Sequence, residues 1–189
     1  LPAIQYTGLD SLMVTGGTGA DVVTFATWFL AGAVNTNYHF DGGATDTLVI
    51  EGVDGGTGAG DDSLTVRNAT GAIPAGPVSV TNNKGALVRV TAVNAVLGRL
   101  QINTLGGDDS VLVDVNGTGL VTVPITFDGG ANSDVLTVSG TPTGGPVSAT
   151  YRPGPAVSEG RLTWVNAATM TVDIVNLEPV IDLVPGVLT

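Results

Sequence analysis

The chain has 189 residues and a net charge of −11, with 17 acidic against six basic side chains. Gly and Val occur 28 times each and Thr 25 times, whereas charged residues make up 12% and aromatics 5%. That composition excludes a helical protein, because Gly, Val and Thr are weak helix formers. It also makes nucleic acid and anionic membrane surfaces poor partners, because Arg67, Lys84, Arg89, Arg99, Arg152 and Arg161 are scattered and form no basic patch.

Val and Thr favour strands and Gly favours turns, so an all-β chain is expected. In chain order, the first unit is Gly16-Gly17-Thr18-Gly19-Ala20-Asp21-Val22-Val23-Thr24, a Gly-rich turn, an Asp and an alternating strand. Residues 25–34 (FATWFLAGAV) break the pattern and read as a loop-out or a short helical turn over an open edge. The unit returns at Phe40-Asp41-Gly42-Gly43-Ala44-Thr45-Asp46, followed by Thr47-Leu48-Val49-Ile50. It returns again at Gly60-Asp61-Asp62-Ser63-Leu64-Thr65-Val66. Residues 78–81 and 86–93 read as an extra strand pair, bounded by Gly76-Pro77 and Asn82-Asn83-Lys84-Gly85. Then come Gly107-Asp108-Asp109-Ser110-Val111 and Phe127-Asp128-Gly129-Gly130-Ala131-Asn132-Ser133-Asp134. Residues 141–155, rich in Gly and Pro, read as a long loop, and Trp164 alternates like a strand residue.

The steps between Asp21, Asp46, Asp62, Asp109 and Asp134 are 25, 16, 47 and 25 residues. A recurring unit near 25 residues is the size of one coil of a stacked repeat. The expected fold is therefore an all-β, right-handed parallel β-helix or solenoid of about six irregular rungs, with a β-sandwich as the alternative. Residues 1–189 read as a single module with no internal linker. The short likeness of Thr7-Gly8-Leu9-Asp10-Ser11-Leu12 to Val175-Asn176-Leu177-Glu178-Pro179-Val180, about 168 residues later, and the start at Leu1 are expected of a fragment or one module of a tandem array.

The turns have a physical logic. Gly permits positive φ and a tight reversal, and an Asp carboxylate accepts N–H groups that the turn exposes. On these residues the chain resembles the haemolysin-type calcium-binding (RTX) repeats, whose nonapeptide G-G-x-G-x-D-x-apolar-x fits residues 16–24. Residues 129–137 fit with Asn132 in a Gly place, residues 58–64 fit the second half, and residues 42–48 are one residue short. With single turns separated by longer strands, most of residues 4–183 is more similar to giant repetitive secreted bacterial β-solenoid proteins. The resemblance implies calcium as a ligand of Asp21, Asp46, Asp62, Asp109 and Asp134. The competing reading is that each Asp only ties down its own turn.

Little else carries chemistry. His39 is the sole His and Cys is absent, which argues against zinc, a His-based triad or disulfides. Neighbours on a strand point to opposite faces, so Asp61-Asp62 and Asp108-Asp109 are not expected to act as proton-sharing catalytic pairs. Trp28 and Trp164 read as packing residues. No run of about 18 apolar residues exists to insert into a membrane. The expected role is non-enzymatic: an extracellular structural or adhesive module of a bacterial surface protein, fibre or layer. Its expected partners are itself or neighbouring modules end to end, together with cell-surface or matrix components. A calcium-binding module is the alternative, and a carbohydrate-binding or carbohydrate-active β-helix ranks third.

Overall fold

A computed structural model describes residues 11–26, 37–54, 60–69, 76–82, 88–92, 97–177 and 181–183. Trp28, Lys84 and the irregular stretch beyond Ala26 lie outside the described residues, as does most of the first of the two similar end segments.

Among the described residues all fifteen regular elements are strands: β1 Ser11–Thr15, β2 Val22–Ala26, β3 Asn37–Asp41, β4 Thr47–Glu51, β5 Ser63–Ala69, β6 Gly76–Asn82, β7 Val88–Ala92, β8 Arg99–Asn103, β9 Ser110–Asp114, β10 Ile125–Asp128, β11 Val135–Ser139, β12 Ser148–Pro153, β13 Gly160–Val165, β14 Thr169–Val175 and β15 Ile181–Leu183. They form two sheets. Sheet A has eight strands in the order β1-β3-β7-β6-β5-β9-β11-β15, and sheet B has seven in the order β2-β4-β8-β10-β14-β13-β12.

Outside two hairpins the chain alternates between the sheets, and like strands pair in parallel. β2 lies beside β4, β4 beside β8, β8 beside β10, and β10 beside β14. In sheet A, β5, β9, β11 and β15 pair in the same way, as do β1, β3 and β7. The hairpins depart from the all-parallel expectation and make both sheets mixed. β5-β6-β7 is antiparallel within sheet A, and β12-β13-β14 is antiparallel within sheet B. The first hairpin matches the expected strand pair between Asp62 and Asp109. The second was missed: β12 occupies residues read as loop, because all six of its residues are exposed and show no apolar alternation.

The sequence explains the alternating strands directly. β8, β9 and β11 bury every second residue, as a pleated strand with one covered face must. In parallel register these residues line up in rows. One row of sheet B runs Leu48, Leu100, Ile125, Val172, Leu162, and the next runs Phe25, Ile50, Ile102, Phe127, Ile174. In sheet A, Leu64, Val111 and Leu136 form one row and Val66, Val113 and Val138 another. All of these side chains belong to one buried cluster. Each contributes roughly 1.5–3 kcal/mol by burial. Trp164 is 1% exposed and belongs to that cluster, as expected of a packing residue.

Candidate functional site

The recurring aspartates sit at the corners where the chain passes between sheets, and they divide into two groups. Asp21 and Asp46 immediately precede β2 and β4, at the corner leading from sheet A to sheet B. Asp62, Asp109 and Asp134 immediately precede β5, β9 and β11, at the corner leading from sheet B to sheet A. The 16-residue step from Asp46 to Asp62 thus joins two different corners; it is the passage across one sheet-B strand, β4. The steps of 25 and 47 are true repeats, and the longer one contains the β6–β7 hairpin.

Within each group a carboxylate accepts a backbone N–H from the turn before the neighbouring parallel strand. The Asp21 N–H donates to Oδ1 of Asp46 at 3.0 Å. The Asp62 N–H donates to Oδ1 of Asp109 at 2.5 Å, and the Asp109 N–H to Oδ1 of Asp134 at 3.0 Å. Each bond carries the parallel ladder one residue past the strand into the corner, where backbone geometry alone would leave the N–H unpaired. The second oxygen closes the local turn. Oδ2 of Asp21 accepts from Gly17, Oδ2 of Asp46 from Gly43, and Oδ2 of Asp62 from Val53. Asp46 does both: its carboxylate serves its own turn and its neighbour's at once. Where the ladder lacks its next Asp, at Gly98, the Asp46 N–H turns back onto Gly43 O at 3.0 Å.

The doubled aspartates add a second ladder of opposite sense, which the sequence reading missed. The Asp108 N–H donates to Oδ1 of Asp61 at 2.9 Å, and the Ser133 N–H to Oδ1 of Asp108 at 3.2 Å. Adjacent residues point to opposite faces, so Asp109 is buried while Asp108 is exposed. The repeated Asp-Asp dipeptide was the available signal.

Small residues hold the carboxylates in place. A Cβ on Gly52 would collide with the Asp62 carboxylate and lie 2.7 Å from Thr104 O; a Cβ on Gly129 would lie 2.5 Å from Oδ2 of Asp134. Thr104 occupies the same corner one coil along, and its hydroxyl donates to Gly129 O at 3.0 Å. Oδ2 of Asp109 is buried there without a hydrogen bond of good geometry, and the Thr104 hydroxyl and the Asp134 carboxyl are its polar neighbours. Burial pushes the Asp109 carboxyl above the usual carboxylate range, against the opposing pull of the Asp62 N–H. At the other corner the Asp21 and Gly43 N–H groups hold the Asp46 carboxyl below that range.

Calcium takes six to eight oxygen ligands. Among the described residues no group of three or more His, Cys, Asp or Glu side chains lies close enough together to hold a metal ion. The five expected ligands are split between two corners and engaged with backbone N–H groups, so this donor set does not match a shared calcium site. His39 is 8% exposed with Nδ1 unbonded, and burial lowers its basicity. An open recess of about 370 Å³ lies beside the β12–β13 turn, lined in part by Arg152, Glu159, Arg161 and Asp173. Arg161 is bound there by both oxygens of Asp173, at 2.5 and 2.9 Å. No family model, no curated protein and no solved structure matches the chain.

Proposed function

We propose that the chain is a structural module built as a right-handed parallel β-helix with two inserted hairpins. It serves as an extracellular structural or adhesive unit of a bacterial surface protein, fibre or layer, joined end to end to like units. The carrying observation is the use of the recurring carboxylates. Asp46, Asp109 and Asp134 each take a backbone N–H from the preceding coil. Such an arrangement joins coil to coil and needs no reacting partner. Among the described residues no strand pairs with the outer edges of β2 and β12, which supports the end-to-end reading, because an unpaired strand edge is a template for another strand.

Immunolabelling of intact, unpermeabilised cells that make the protein tests the location. Surface decoration is the expected result; label that enters only after permeabilisation contradicts it.

A further inference from the structure

We propose that the outer edge of β12 is the docking site for β2 of a second copy of this chain, added head to tail. The proposal deepens the end-to-end reading above and rests on it.

The number of strands in each sheet sets the docking position. The β6–β7 hairpin widens sheet A by two strands, yet β4 and β8 remain neighbours in sheet B. From β5 onward, sheet A therefore runs two strands ahead of sheet B. The β12–β13 hairpin then widens sheet B by two strands beyond β14, while β11 and β15 remain neighbours in sheet A. The two insertions compensate. Without β15, each sheet has seven strands, and β15 opens an eighth position in sheet A. The matching eighth position in sheet B lies against β12, and no described strand fills it. β15 thus stands where the β1 of a new set of seven would stand, and the strand that follows β1 in sheet B is β2.

Polarity agrees. Each insertion adds two strands, so direction is restored after it. β12 is antiparallel to β13, which is antiparallel to β14, so β12 runs with β14, β10, β8, β4 and β2. A second copy placed by translation meets β12 as a parallel pair, like the other coil contacts of sheet B. The edge groups also face outward. The Gly154 N–H donates to Glu159 O at 2.9 Å, and the alternation of an antiparallel ladder then turns the Ala149 and Tyr151 N–H groups away from β13. Asp21 O accepts the Thr47 N–H at 2.8 Å, so the Val22 and Thr24 N–H groups turn away from β4.

Packing and charge fit the same partner. Ala149 and Tyr151 stand in register with the buried Trp164 and Leu162, on the core-facing side, yet both are exposed. At the opposite end Leu12, Val14 and Val23 lie only partly covered against the core. Residues 11–26 and 37–54 carry Asp21, Asp41, Asp46, Glu51 and Asp54 and no Lys or Arg. β12 presents the exposed Arg152 to that acidic end. The incoming β1, five residues long, takes the edge of β11 from β15, whose described residues pair there at three positions.

The test is sedimentation of the full-length chain over a wide concentration range, with two edge variants. Ala149→Pro removes an outward N–H from β12, and Thr24→Pro removes one from β2; both residues are exposed and neither N–H serves the chain's own ladder. The wild type should form an open series of oligomers that grows with concentration. Each variant alone should remain monomeric, and an equimolar mixture should form a one-to-one pair and stop there. Arg152→Glu, a side-chain change outside the ladder, should weaken wild-type assembly tenfold or more. A wild type monomeric throughout overturns the proposal. So does a dimer that stops at two and is abolished by Ala149→Pro but untouched by Thr24→Pro, which is the signature of dyad-related β12–β12 pairing. A monomer that still decorates the cell surface overturns the β12–β2 contact and leaves the surface-module reading standing.

Discussion

The Asp109 N–H donates to Oδ1 of Asp134, 3.0 Å away and 25 residues further along the chain. Both residues are 1% exposed, so neither end of the bond has water as a substitute. Asp134→Ala should therefore cost about 1–3 kcal/mol, the penalty for stranding a buried donor. Ser133→Ala, which leaves the backbone bond of the exposed neighbour intact, should change stability by less than about 0.5 kcal/mol. Urea midpoints of the two variants check the contrast.

The two corners should respond to pH with opposite signs. Burial raises the Asp109 carboxyl above its unfolded value. Its contribution is fullest below the unfolded value and is lost as pH rises through the folded one. Asp109→Asn stays neutral at every pH and keeps an oxygen for the Asp62 N–H. It should raise the melting temperature near about pH 7, with the gain shrinking on acidification. Hydrogen bonds from Asp21 and Gly43 lower the Asp46 carboxyl. Its contribution is present above the unfolded value and is lost as pH falls through the folded one. Asp46→Asn should therefore destabilise most at neutral pH. Melting temperatures of both variants across pH test the pair of signs.

Close approach of backbone at the corners makes certain glycines irreplaceable. A Cβ on Gly98 would lie 2.5 Å from Ala44 O and 2.8 Å from Asp46 O, whereas one on Gly17 would meet nothing nearer than 3.8 Å. Gly98→Ala should cost about 1–3 kcal/mol through forced backbone movement. Gly17→Ala should be near neutral. Thermal unfolding of the two variants provides the comparison.

Each of the five carboxylates already accepts at least one backbone N–H, and they are split between two corners, which leaves a shared divalent ion little to add. Millimolar calcium, and separately a chelator, should leave the melting temperature unchanged. A rise with calcium that the chelator reverses would restore the ion reading implied by the Gly-rich turns.

The strands were legible wherever apolar residues alternate, as in Ser110–Asp114 and Val135–Ser139, because a strand covered on one face imposes that period. The role of Asp as a turn closer was also legible, since Gly17 and Gly43 lie within four residues of their carboxylates. The bonds across 25 and 47 residues were not. The 16-residue step gave no sign that Asp46 and Asp62 belong to different corners, because a passage from one sheet to the other and a short repeat have the same length on paper. β12 was hidden for a different reason: an edge strand with both faces wet has no reason to alternate.

The parallel pairing on which the proposed stack of coils rests is tested most directly by nuclear Overhauser contacts across β9. Leu112 stands in register with Thr65 on one side and Thr137 on the other. Backbone contacts from Leu112 to both, with contacts from Val111 to Leu64 and Leu136 displaced in the same direction, are the predicted pattern. Contacts that shift in opposite directions along β9 and β11, as antiparallel neighbours require, would contradict it.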